Sequence, residues 1–435
     1  MPAASSAPEV NRLLDHLFRR EAGRLVAILT RHFGVQHLHL AEDVVQDALV
    51  RAMQTWPFTG VPQNPSAWLL QTAKNRAIDA TRRGTLWRGK QPELVPLVED
   101  CLQSALTAPA PHFEDEMRDS QLRMMFVCGH PGLPVESQLA LTLKTLCGFG
   151  EREIAAAFLT SEAAVTKRLV RARQFLREQG VAVELPPAAE LAPRVDMVLQ
   201  ALYLLFNEGY KASHGGSLLR TDLCAEAIRL AELLIAHPLG DRPATRALLA
   251  LMYLGAARLP ARTDGDGGLL LLAEQDRTRW DQAEIKRGLR HLAESGTGAA
   301  VTRYHLEAGI AACHCLAPSF AETDWKQIVT LYDMLLELDG SPIVALNRAV
   351  AVAQVSGQRA GLAALDEIKD RKALENYHLL HAVAGQLWLD AGETTQAAKC
   401  FRRALELATL PAERVLLEKR LGQCGVPEIS VQTTS

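Results

Sequence analysis

No stretch of the 435-residue chain is long and apolar enough to cross a bilayer: the longest nearly uninterrupted run, Ala247–Ala257, has eleven residues, where about 20 are needed. Met1–Val10 holds no basic segment followed by an apolar one, so no secretory signal is visible and a cytoplasmic protein is expected. Cysteine is scarce. The eight (Cys101, Cys128, Cys147, Cys224, Cys313, Cys315, Cys400 and Cys424) are too spread out for a disulfide scaffold and read as small buried hydrophobes in a reducing compartment. No charge sign dominates, with 47 Lys and Arg against 50 Asp and Glu and a net charge of -3, so whole-chain composition gives no sign of a nucleic-acid partner. There is no glycine-rich phosphate loop ending in Lys-Ser/Thr and no nucleophile elbow. Metal spacing is absent too. Asp264 and Asp266 start like a calcium loop, but Leu269 and Gln275 stand where Gly and Glu are required. Cys313-His314-Cys315 and Cys128-Gly129-His130 lack a second ligand pair. No enzyme activity, cofactor or metal is expected.

What the chain has is 48% hydrophobic residues, enough core for two to four domains. Its neutral total hides unlike parts. Residues 1–90 sum to +5, 91–118 to -5, 119–180 to +2 and the remainder to -5. Pro92, Pro96, Pro109 and Pro111 mark 91–118 as a flexible acidic linker, and Gly180, Pro186, Pro187 and Pro193 mark a second break. The expected domains are therefore 11–90, 119–180, 190–325 and 326–425. Nearly every segment between the breaks shows an i, i+3, i+4 apolar pattern rich in Ala and Leu, so the predicted fold is all-α. Near the end, Leu336-Glu337-Leu338 with Pro342 recurs 69 residues later as Leu405-Glu406-Leu407 with Pro411. Ala349–Gly357 likewise precedes Ala384–Gly392 by 35, close to the period of a tetratricopeptide (TPR) unit. Such stacked hairpins make a scaffold for contacts.

The sharpest local pattern lies between Leu133 and Glu178. A helix over Val135–Cys147, a Gly148-Phe149-Gly150 turn, a short helix Glu151–Phe158 and a helix opening at an N-cap Ser161 describe a helix-turn-helix. Its last helix carries Lys167, Arg168, Arg171, Arg173 and Arg177, with Val165, Leu169, Ala172 and Leu176 on the opposite, inward stripe. Cations so spaced can meet phosphates on both sides of a major groove.

This segment resembles region 4 of bacterial extracytoplasmic-function (ECF) sigma factors. The resemblance implies that region 4 reads the promoter -35 element, through Ser161, Glu162, Val165, Lys167, Arg168, Arg171 and Arg173, and docks on the flap of RNA polymerase. Leu159 departs from the family's turn glycine. Further upstream, Ala41–Ala52 (AEDVVQDALVRA) is similar to the region 2.2 helix that grips the polymerase clamp helices, and Asp43, Gln46, Asp47 and Val50 share one helical stripe suited to a basic partner helix. The loop Trp56–Pro65 and the helix Ser66–Arg83 resemble regions 2.3 and 2.4, which open and read the -10 element. Phe58, Lys74, Asn75, Arg76, Asp79, Arg82 and Arg83 are the residues this assigns to -10 DNA, and Trp68 reads as a core anchor.

Tyr203–Tyr210 (YLLFNEGY), Asp264–Gly268 (DGDGG) and Leu270–Asp281 (LLLAEQDRTRWD) resemble the blocks of the ECF subgroup with a long TPR-like extension, thought there to stand in for a separate anti-sigma factor. Core RNA polymerase and promoter DNA are thus the expected partners, with a protein or peptide regulator on the helical array and no membrane. The competing reading is a polymerase-independent helix-turn-helix regulator on a TPR-like scaffold, which would have no need of the 41–83 block.

Overall fold

The structure, a computed structural model, describes residues 21–88, 120–158, 160–184, 186, 188–211, 219–265, 268–298 and 300–425. The expected acidic linker and the start of the 11–90 domain lie outside them. The all-α expectation holds: among the described residues the only extended pairing is an isolated bridge between Thr263 and Leu269. Two compact units result, one joining residues up to Glu208 with Ala225–Gly240, the other joining Gly209–Cys224 with the chain from Asp241.

The first unit begins with α1 (21–33), in which Leu25, Val26, Ala27, Ile28 and Leu29 are all buried, the mark of a helix enclosed on every side. Helix α2 (Leu38–Thr59) buries Ala41, Val44, Val45, Ala48, Leu49, Ala52 and Trp56 along one stripe. It runs further than the sequence suggests. Pro57 sits in the last turn, where its missing N–H forfeits one helical bond, and the helix ends at Gly60 with φ 82°. The expected Trp56–Pro65 loop therefore shrinks to 60–64. Helix α3 (Pro65–Arg88) opens where Asn64 Oδ1 accepts from Ala67 N at 3.0 Å and Pro65 takes the first position.

After α4 (120–128) come α5 (Val135–Thr145), α6 (Glu151–Ala157) and α7 (Glu162–Glu178). Helix α8 (Ala188–Tyr210) runs through Pro193, so the second break is narrower than its prolines imply. Up to Glu208 it belongs with the helices before it. Leu191, Val195, Val198, Leu202 and Leu205 are buried, Arg194 donates to the Phe126 carbonyl at 2.9 Å, and Met197 Sδ accepts from Thr142 at 3.5 Å. Most of α9 (Thr221–Ile235) joins the same unit, where Arg229 donates to Gln121 at 3.0 Å.

The second unit contains α10 (Pro243–Ala256), α11 (Gln282–Ser295), α12 (Arg303–Leu316), α13 (Trp325–Asp339), α14 (Pro342–Ser356), α15 (Gln358–Asp366), α16 (His378–Asp390), α17 (Thr394–Leu407) and α18 (Pro411–Gln423). Helices α13 and α17 begin 69 residues apart, as do α14 and α18, so the sequence repeat is a repeat of helices. Gly357 and Gly392, both at positive φ, make the turns from α14 into α15 and from α16 into α17. A Cβ on Gly361 would lie 2.5 Å from that of Ala353, and one on Gly385 2.9 Å from the Phe401 ring, so these small residues set how closely paired helices approach. The last helix is tied down by Glu413, which meets Lys211 at 2.9 Å and His378 at 3.1 Å.

Burial, then the nearby Arg258 and Arg277 charges, lower the His314 pKa from the ordinary 6.5 to about 3. The folded chain thus refuses a proton that the unfolded chain accepts below pH 6.5. Stability from this residue is complete above 6.5 and falls toward acid by roughly 1.4 kcal/mol per pH unit. Thermal melts between pH 7.5 and 5 are expected to show this slope, and His314→Gln to flatten it.

Candidate nucleic-acid interface

Helix α2 turns its buried stripe inward and leaves Asp43, Gln46, Asp47 and Val50 exposed together on the opposite side, as the spacing predicts. Asp43 meets His39 Nδ1 at 3.3 Å one turn away. The face extends one turn past the expected residues: Met53 is 53% exposed. Its spacing of three from Val50 was the available signal. An acidic and apolar helix face open to solvent suits docking against a basic, amphipathic partner helix.

At the end of α2, Phe58 is 89% exposed beside the 60–64 turn, while Trp56 is buried and meets the half-buried Trp68 edge-on at 5.3 Å. The two indoles thus brace the turn that carries Phe58. On α3, Asn75 and Asp79 are exposed one turn apart, Arg76 is half-buried, and Asn75 Oδ1 accepts from Gln71 at 3.1 Å. Lys74 is corrected: at 1% exposure it cannot face DNA. It lies on the same stripe as Leu70, Ala73 and Ala77, all buried, so the helical period carries it inward. The backbone of α3 continues through Arg82 and Arg83, whose side chains lie outside the described residues.

Helices α5, α6 and α7 form the expected helix-turn-helix. Ser161 caps α7 by accepting from Ala164 N at 3.3 Å, and Gly150 N donates to Glu153 at 2.6 Å at the head of α6. Leu159 lies outside the described residues. Val165 is also corrected, since it is fully buried with Leu169, Ala172 and Leu176 and anchors α7 instead of reading a base. Ser161, Glu162, Lys167, Arg171 and Arg177 are exposed.

Two of the expected DNA contacts are engaged within the protein. Arg168 pairs with Glu136 of α5 at 2.5 Å. Arg173 reaches back to α2, its Nη2 lying 2.8 Å from Glu42 Oε2, and Thr145 donates to Glu42 Oε1 at 3.2 Å. Helix α7 packs against the turn Val35–His37 beside this pair. A Cβ on Gly23 of α1 would lie 2.2 Å from the Leu146 carbonyl oxygen, so only glycine allows this approach. Glu42 is thus a junction between the two predicted DNA-reading parts. Its separation of 131 positions from Arg173 leaves no local pattern from which the contact could be read.

Three family models match the chain: Sigma-70 region 2 over residues 17–86, Sigma-70 region 4 over 124–176, and a family of unknown function over 194–296. An uncharacterized protein of Rhizobium meliloti is 37% identical over 405 residues, covering 93% of this chain and 94% of its own length. The ECF RNA polymerase sigma factor SigE of Mycolicibacterium smegmatis is 30% identical over 164 residues, 38% of this chain and 60% of that protein.

Proposed function

We infer that this chain, which belongs to the ECF-type sigma factors and carries a C-terminal extension, holds core RNA polymerase through the exposed face of α2 and selects promoters through α3 and α7. Core polymerase and promoter DNA follow from its sigma-70 regions. The residue assignments are our reading. Asp43, Gln46, Asp47, Val50 and Met53 meet the clamp helices. Phe58, Asn75, Arg76 and Asp79, followed by Arg82 and Arg83 in sequence, serve the -10 element. Ser161, Glu162, Lys167 and Arg171 serve the -35 element, and Arg168 and Arg173 join them once their carboxylate partners are released. Binding alone supplies the energy: phosphate contacts give salt-sensitive affinity and base contacts give choice of promoter.

The observation that carries this reading is the exposed acidic stripe of α2, which a duplex-only regulator does not need. Immobilised full-length chain is expected to capture core polymerase, and failure to do so would remove the sigma reading. On promoter duplex bound by the holoenzyme, Lys167→Ala and Arg171→Ala are each expected to weaken affinity across sequences and to lower the slope of log affinity against log salt by about 1. An unchanged slope would remove those residues from the phosphate contacts.

The contact between α2 and α7 belongs to a closed form. Elements centred about 25 base pairs apart span roughly 85 Å of B-DNA, whereas two touching domains of 60–70 residues have centres only about 30 Å apart. Reading both elements therefore requires Glu42 and Arg173 to part. The extension acts on this step in cis, binding a protein or peptide regulator on its helical array. In vitro transcription with and without residues 190–435 tests that, and unchanged promoter output would exclude it.

A further inference from the structure

The block Asp276–Trp280 plays no part in the functions above, yet in the second unit its buried Trp280 sits between two half-buried cations. Trp280 is buried against Leu254, Ala257, Ala261 and Ile285. The Arg258 guanidinium carbon lies 5.3 Å from its ring centroid and that of Arg277 4.7 Å, so two cations flank one indole within 10 Å of each other. Arg277 is partly occupied, donating to the carbonyls of His314 and Ala317 at the end of α12 and to Thr323 Oγ1 just before α13. Arg258 is not: among the described residues no carboxylate, carbonyl or hydroxyl accepts from it, and its Nε is buried. The Trp280 Nε1 and His314 Nδ1 atoms are buried without a hydrogen-bond partner as well.

Buried polar nitrogens nearly always find an acceptor, and clustered guanidiniums repel unless an anion lies between them. Here the neighbouring charge is the wrong kind. Arg258 bears on Arg262, Arg277 and His314, and no carboxylate is among the groups acting on those three. His314, held neutral at pH 7 by burial and these cations, can still donate through one ring nitrogen. A single ligand that satisfies guanidinium, indole and imidazole donors together must offer several strongly accepting oxygens around one centre. Phosphate does, and arginine is the side chain best shaped to bind it.

We propose that Arg258, Arg277, Trp280 and His314 form a binding site for a phosphate group within the C-terminal extension. The site requires nothing of the sigma reading and stands or falls apart from it. It makes the extension a receptor for a small anion as well as a protein scaffold.

Titration of the full-length chain with inorganic phosphate, followed by calorimetry and tryptophan fluorescence against potassium chloride of matched ionic strength, tests the site. Saturable binding to the parent chain is expected. Arg258→Gln, which breaks no hydrogen bond among the described residues, is expected to weaken it at least tenfold with an unchanged melting profile. Trp280→Phe keeps the stacked ring, loses the N–H, and is expected to weaken binding several-fold. Arg279→Gln, whose exposed guanidinium is directed to the Thr263 carbonyl, should bind as the parent does. A phosphate monoester that binds more than tenfold tighter than the free ion identifies the ligand as a phosphorylated metabolite; equal or weaker binding identifies the ion itself. No saturable effect beyond the chloride control, or equal binding by the parent and Arg258→Gln, overturns the proposal.

Discussion

A chain carrying Asp43→Arg and Asp47→Arg together is expected to lose at least 100-fold in affinity for core RNA polymerase while keeping its fold. Both carboxylates are exposed on α2, and the ion pair at stake among the described residues, Asp43 with His39, is solvated and contributes little. Against a basic partner helix each reversal turns attraction into repulsion. Close interfacial charge pairs couple by about 1.5 kcal/mol or more, so two reversals remove at least about 3 kcal/mol, more than 100-fold in dissociation constant. Titrating labelled chain with core polymerase measures the loss, and a thermal melt verifies the fold. A dissociation constant within threefold of the parent would mean that α2 meets something other than the clamp.

Reversing one partner of the Glu42–Arg173 pair is expected to open the first unit. Both side chains are largely shielded, at 15% and 21% exposure, so Glu42→Arg places two cations face to face where water screens them poorly. A charged hydrogen bond is worth about 1.5–3 kcal/mol, which shifts the closed form against the open by roughly 10- to 100-fold. Arg173→Glu should act alike, and the exchange of both, Glu42→Arg with Arg173→Glu, should restore closure because the attraction returns with its sign inverted. Spin labels at the exposed Gln54 and Gln179 report the separation. The single reversals should lengthen the distance and the double should shorten it again. A short distance in all four chains would show that apolar packing around Val35 and Gly23, and not the ion pair, holds α7 on α2.

Much of this was legible in the sequence because the governing contacts are local. The cap at Ser161, the inward stripe of α7 and the outward stripe of α2 each follow from a period of 3.6 and a chain segment of fewer than 20 residues. The 69-residue repeat was legible because glycine turns and proline starts recur with the helices they bound. Lys74 was misplaced because residue type was weighed above position, although the stripe Leu70, Ala73, Ala77 already pointed inward. Val165 fell to a family pattern that the same helix's apolar period contradicts. The grouping of α8 with α4 and α5 was hidden, since prolines near residue 190 mark a change of chain direction and say nothing about which apolar faces meet. The Glu42 junction and the Arg258 site arise from residues far apart in sequence and needed the fold to become visible.

The most direct test is transcription in vitro from core RNA polymerase supplied with the full-length chain. Initiation at discrete start points, each preceded by one -35 and one -10 element and lost with Asp43→Arg/Asp47→Arg, is the expected result. Transcription no greater than that of core enzyme alone, with the chain still binding duplex operator, would contradict the sigma assignment and favour a polymerase-independent regulator.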